Sequence, residues 1–287
     1  MWIPYALIAA FFAGCTSVLA KIGIRNTDSN LATALRTIIV AAFAWLMVFI
    51  VGSQNSITEI GVKSLVFLIL SGLSTGGSWL CYFRALKIGD VNKVVPIDKS
   101  STVLTVILSF IILGESMNWL KAIAIIMIGA GTYFMIERRS EGADSKKGRK
   151  WLVYASLSAV FASLTAIFGK VGIEGVESNL GTAIRTVIVL AMAWLVVIGN
   201  GKQREITGID KRSWWFIGLS GLATGFSWLC FYRALQEGPV SVVVPIDKLS
   251  ILITISFSYF ILGERLSKWS LLGLAFISLG TVGMALI

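Results

Sequence analysis

Shifted by 149 residues, the sequence aligns with itself without a gap, and what recurs is mostly apolar. Lys21 falls on Lys170, Leu35-Arg36-Thr37 on Ile184-Arg185-Thr186, and Ser78-Trp79-Leu80-Cys81 on Ser227-Trp228-Leu229-Cys230. Arg84-Ala85-Leu86 falls on Arg233-Ala234-Leu235. A duplicated unit must solve the same burial problem twice. Each copy holds five apolar stretches near the roughly 20 residues that cross a hydrocarbon core. They run about 3–23, 31–51, 65–86, 92–113 and 118–136, then about 151–171, 180–199, 214–235, 241–262 and 267–286. With 56% hydrophobic and 14% charged residues and a mean hydropathy of +0.84, the bilayer is the solvent this chain expects. The expected fold is an all-α integral membrane protein of ten transmembrane helices. Its repeats would be residues 1–138 and 150–287, joined by a basic linker, 139–149.

Five is odd, so if one repeat enters from one face of the membrane the other enters from the opposite face. The repeats are then inverted about an axis in the membrane plane, the arrangement secondary transporters use to gate one central site from two sides. Orientation comes from the basic residues that the repeats do not share. Ten of the 25 Lys and Arg are shared pairs, and of the remaining fifteen only Lys121 falls on the face opposite the others. That bias puts the linker, Glu137 to Lys150, in the cytoplasm of a cell-membrane protein and both termini outside. The net charge of +10 follows from this topology and from contact with anionic lipid, with no module that would read nucleic acid. A monomer in contact with membrane lipids is expected.

Val94-Val95-Pro96-Ile97-Asp98-Lys99-Ser100 recurs as Val243-Val244-Pro245-Ile246-Asp247-Lys248-Leu249. Ionisable groups inside an apolar span are costly and functional by default. Asp98, Ser101 and Thr105 share one helix side, as do Asp247, Ser250 and Thr254, and such a polar stripe fits a cavity wall better than lipid. Adjacent residues on a helix point about 100° apart, so Asp98 and Lys99 each need another partner. Arg36 is the natural one for Asp98 and Arg185 for Asp247. Proton or substrate binding at Asp98, Asp247, Arg36, Arg185, Lys99 and Lys248 is one reading; a structural ion pair is the other. Pro96 and Pro245 either bend the helix as gating hinges or occupy its first turn. Trp79, Tyr82, Trp228 and Tyr232 could stack on a substrate or anchor the interface. Lys21, Lys170, Arg84 and Arg233 lie near helix ends, where snorkelling suffices. Gly72-x-x-x-Gly76 and Gly221-x-x-x-Gly225 read as close helix contacts, and Gly77 opposite Phe226 predicts an asymmetric pocket. Cys15, Cys81 and Cys230 read as small core residues, not disulfides.

Two five-helix repeats, each with a proline early in its fourth helix and Leu113-Gly114-Glu115 or Leu262-Gly263-Glu264 at that helix's end, resemble the EamA domain of the drug/metabolite transporter superfamily. The resemblance implies a ten-helix exporter or exchanger of small metabolites such as amino acids. Many members of that family are described with cytoplasmic termini, the reverse of what the charge count gives here. The cationic excess of Arg36, Lys99, Arg185 and Lys248 over Asp98 and Asp247 favours a zwitterionic or anionic metabolite. A channel, a membrane-assembly protein or a transporter of cationic amines and drugs are the alternatives. With no histidine and no metal or nucleophile cluster, no enzyme and no cofactor are expected, though proton coupling is open.

Overall fold

Helix ends in the computed structural model follow local chemistry. The structure describes residues 2–23, 27–88, 94, 97–134, 150–262 and 268–286. The first half gives α1 (Trp2–Gly23), α2 (Ser29–Val51), α3 (Val62–Ile88), α4 (Ser101–Ile112) and α5 (Trp119–Phe134). The second gives α6 (Lys150–Gly172), α7 (Ser178–Gly199), α8 (Lys211–Glu237), α9 (Val240–Lys248), α10 (Ser250–Leu262) and α11 (Lys268–Leu286). Asp28 caps α2 through the N–H groups of Asn30 and Leu31, and Glu177, its equivalent, caps α7 through Leu180. Both satisfy donors that a helix start leaves unpaired. Asp210 does the same for α8 and also accepts from the Ser213 hydroxyl, which holds its carboxyl below the usual carboxylate range. That cap weakens as pH falls through the lowered range. Gly52 ends α2 at φ 79°, a left-handed conformation that glycine adopts without penalty.

Among the described residues, all regular structure is helical, and eight helical spans, counting α9 and the start of α10 as one, are long and apolar enough to cross a membrane. Their surface is inside out relative to a soluble protein. Ile50, Ile111, Ile126 and Leu279 are exposed, whereas Ser71, Ser109, Thr182 and Thr186 are fully buried. Apolar side chains meet lipid at no cost, and hydroxyls turn inward to partners. Ser71, for example, donates to the Thr165 carbonyl, and Ser220, its equivalent, donates to the Thr16 carbonyl.

Packing repeats with the halves exchanged. Helix α3 lies on α6 as α1 lies on α8; α3 lies on α7 as α2 lies on α8; α2 meets α7 and α5 meets α11. Glycine makes this approach close. A Cβ on Gly72 would lie 2.7 Å from Ile188 Cβ and 3.0 Å from the Arg185 carbonyl. One on Gly221 would lie 2.8 Å from Ile39 Cβ and 3.1 Å from the Arg36 carbonyl. Each residue named in the second contact is the equivalent of one in the first. The glycine pairs are therefore helix-contact residues, as the sequence leads one to expect.

The long fourth span of each repeat departs from expectation in having a break. Helix α9 ends at Lys248 and α10 begins at Ser250, with Leu249 between them at φ −63° and ψ −13°. Ser100, the equivalent of Leu249, has the same angles before α4. Pro245 lies inside α9, so the first-turn reading fails for it, yet the helix is interrupted four residues later. Pro96 lies outside the described residues.

Candidate functional site

A cavity of about 360 Å³ lies where the halves meet. Lys99 and Lys248 both line it, as do Ile128 and Ile277 and the pair Thr102 and Ile251. Each pair is related by the repeat shift, so the cavity straddles the relation between the halves. The helix breaks at Ser100 and Leu249 explain why lysines arrive there. Each lysine is the last helical residue before its break, where a cation also suits the negative helix end.

The rest of the lining is one-sided. Ser17, Thr132, Ser250 and Thr254 belong to the wall. Of their equivalents, Ser101, Thr105 and Thr281 are absent from the wall and Ala166 packs into an apolar cluster with Val106, Val240 and Val243. The cavity thus extends toward one end of the bundle and is closed toward the other. This corrects the expected stripe in the first repeat: Ser101 and Thr105 are not on the wall, and Thr102 is. Helix α4 is covered by α6 and α9, and Thr105 donates back to the Ser101 carbonyl at 2.8 Å. In the second repeat Ser250 and Thr254 do line the cavity, and Thr254 donates to the Ser250 carbonyl at 3.0 Å.

The aspartates have partners other than those expected. Asp98 accepts a 2.7 Å hydrogen bond from Ser158 on α6, and Ser158 and Ser78 are themselves in mutual contact at 3.2 Å. Arg36 instead borders a small separate pocket with Thr33 and Ser220. Similar depth in the membrane suggests the Arg36–Asp98 pair, but depth fixes only one of three coordinates. Asp247 Oδ2 lies 3.8 Å from Lys248 Nζ, so neighbouring residues do pair here. The long lysine stem at a helix end spans the 100° that separates them. The two acids differ because Ser158 has Ala9 as its equivalent, which can donate nothing.

Arg185 is not with Asp247 either. It is 2% exposed, donates from Nε to Ser71 Oγ at 3.0 Å and from Nη2 to Thr75 Oγ1 at 2.6 Å. Its guanidinium lies over Trp228 at 4.9 Å and Tyr232 at 4.6 Å. Those rings hold the arginine by cation–π contact and do not line the cavity. Trp79 packs beside the cluster of Leu31, Leu35 and Ile217, and Tyr82 beside Ala85 and Val94. Phe226, the equivalent of Gly77, joins a ring cluster, 5.1 Å from Phe12 and 4.5 Å from Phe43, whereas Gly77 faces the Phe161 ring. That asymmetry lies away from the cavity wall. The three cysteines are free and partly buried.

Lys170 does not snorkel. Its Nζ donates to the carbonyls of Leu235, Gln236 and Gly238 at 2.5, 3.2 and 2.9 Å, closing off the end of α8. Arg233 pairs with Glu237 at 2.8 Å. Ser158, Thr102 and this role of Lys170 escape sequence reasoning. For Ser158 a signal exists: it is a hydroxyl where the other repeat has alanine.

Comparison with known proteins agrees with this architecture. A protein of known crystal structure superposes with a TM-score of 0.79 over 100% of this chain and 99% of that one, at 18% identity, which establishes the shared fold. A Sinorhizobium sp. protein named as an uncharacterized transporter in the cobO 3′ region is 44% identical over 137 residues, covering 48% of this chain and 97% of its own length. The model of the EamA-like transporter family matches residues 1–137 and again residues 149–286. A membrane transporter matched twice along its length is what the duplicated sequence and the bundle packing both describe, and the chain belongs to the EamA-like transporter family.

Proposed function

We propose that the chain is a secondary active transporter, an exporter or exchanger that moves a small anionic or zwitterionic metabolite such as an amino acid by alternating access. The observation that carries this reading is the placement of Lys99 and Lys248 on one cavity wall. Among the described residues Lys99 makes no ion pair, and Lys248 has only Asp247 at 3.8 Å. Two ammonium groups facing one cavity in an apolar bundle favour a ligand that brings a carboxylate or phosphate. The exchange-symmetric packing supports two inverted repeats, residues 1–138 and 150–287, that supply five membrane helices each. Their one-sided cavity corresponds to a state open at one end.

A thermal-stability screen of the purified monomer against amino acids, organic acids, phosphates and amines tests the substrate class. Ligand at about 100 times its Kd adds roughly 2.7 kcal/mol to the folded state. Stabilisation by a carboxylate- or phosphate-bearing compound is expected; stabilisation by quaternary amines alone contradicts the reading.

Asp98 and Asp247 are proposed to link proton binding to the conformational cycle. Asp247 competes with substrate for Lys248, so a bound substrate anion releases the acid to take a proton, a reciprocal coupling. Reconstituted Asp98→Asn and Asp247→Asn should retain folded protein and exchange but lose accumulation driven by a pH gradient. Normal pH-driven accumulation in both variants removes these acids from the coupling.

The linker is proposed to be cytoplasmic, with both termini outside the cell membrane. A cysteine placed at Ser145 should resist an impermeant reagent in intact cells and react after permeabilisation. Reaction from outside would invert the topology.

A further inference from the structure

Glu115, the last residue of Leu113-Gly114-Glu115, makes a contact that crosses the halves. Its carboxylate oxygens accept from the backbone N–H groups of Val240 at 2.6 Å and Ser241 at 2.9 Å. These are the first two donors of α9, whose own N-cap, Pro239, supplies no side-chain acceptor. A helix start leaves such donors unsatisfied, and a carboxylate there also meets the positive end of the helix dipole. The cap therefore comes from a residue 125 positions earlier. Gly114, at φ 67°, makes the left-handed turn that redirects the chain after α4.

The same α8–α9 turn is held on its other side. Lys170 binds the carbonyls of Leu235, Gln236 and Gly238, and Gln236 Nε2 donates to the Ile173 and Val176 carbonyls at 2.9 and 2.6 Å. This is the closed end of the cavity, where Ala166, Val106, Val240 and Val243 pack into one apolar cluster. Helix α9 runs from the Glu115 contact to Lys248 on the cavity wall and ends at the break at Leu249. What fixes the start of α9 thus fixes both the closure and the position of a substrate-facing lysine.

We propose that Glu115 is a positioning residue that keeps this end of the transporter shut by capping α9 across the halves, and that opening of this end requires the carboxylate to release Val240 and Ser241. The inference rests on the alternating-access reading but not on the identity of the substrate. The contact suits such a role because it consists of two charge-assisted hydrogen bonds to backbone. Those bonds are strong enough to hold one state and can be exchanged for water in the other.

Cysteine accessibility tests it without a substrate. In a background with Cys15, Cys81 and Cys230 changed to alanine, Ala166→Cys reports the closed end and Ser17→Cys the open end. Adding Glu115→Gln should raise the rate of Cys modification by a small hydrophilic thiol reagent at position 166 by roughly tenfold, the scale of losing a bond to a charged group. The same change should lower the rate at position 17, because opening one end closes the other. A residue that only stabilises the bundle would, when changed, raise both rates. Both rates rising, or neither changing, overturns the proposal. Glu115→Asp, which keeps the charge but shortens the reach, is read by the same two rates if Glu115→Gln is not recovered folded. A failed substrate screen would leave these rates unaffected, so the two readings fail separately.

Discussion

Changing Lys99 and Lys248 together to glutamine should remove saturable transport of carboxylate- or phosphate-bearing solutes while leaving the protein folded. Both side chains line the cavity; Asp98 keeps its hydrogen bond from Ser158 in the double variant, and Asp247 loses Lys248 at 3.8 Å. A hydrogen bond to a charged group contributes about 1.5–3 kcal/mol, so each lysine accounts for roughly 10- to 100-fold in affinity. The double variant should lose at least about 100-fold in apparent affinity. Glutamine keeps a donor and is only one atom shorter, so the loss reads out mainly charge. Relief of the repulsion between two like charges is offset by the loss of the Lys248 partner of Asp247, so thermal stability should fall, and adding Asp247→Asn should restore it. A double variant that binds and transports an anionic solute with wild-type affinity would exclude the lysines from the site.

The second large effect is on folding. Gly72→Leu or Gly221→Leu should destabilise the protein by about 3 kcal/mol or more, at the upper end of overpacking effects. At both sites even a Cβ would fall within 3.0 Å of an isoleucine Cβ, and a backbone carbonyl stands at 3.0 or 3.1 Å. Backbone in a neighbouring helix cannot yield as a side-chain tip can, so α3 must separate from α7, or α8 from α2. Gly218→Ala is the control, because its Cβ would meet only Ile39 Cδ1 at 4.0 Å and should be tolerated. Monodispersity on size exclusion and thermal unfolding in detergent measure the difference. Equal stability of Gly72→Leu and Gly218→Ala would mean that the helix contacts are looser than described.

The helices could be read from sequence because lipid imposes length and apolarity together, and the observed bounds of α1, α2, α6, α7 and α11 fall within about two residues of the apolar runs. The repeat shift was equally legible and led to the glycine contacts. The break at Ser100 and Leu249 was not, because neither residue is a glycine or proline and the angles depart only slightly from helical ones. The same break leaves Ser250 and Thr254 on the wall, so what removes Ser101 and Thr105 from it is the packing of α4 against α6 and α9, which sequence does not show. Partner choice was the other gap. Arg36 and Asp98 were matched by depth, whereas the packing sets Asp98 against α6 and Arg36 against the Ser220 region of α8. Lys170 looked like a snorkelling residue because sequence cannot show that the carbonyls of α8 end beside it.

Counterflow in proteoliposomes addresses the central claim most directly. Vesicles loaded with a high concentration of an amino or organic acid that stabilises the purified protein are diluted into a trace of the same labelled compound. Transport through one cavity that opens to alternate sides predicts transient, saturable accumulation of label above equilibrium, abolished in the protein with glutamine at positions 99 and 248. Flux that rises linearly with concentration, shows no overshoot and is indifferent to those two lysines would identify an open pore and contradict the account.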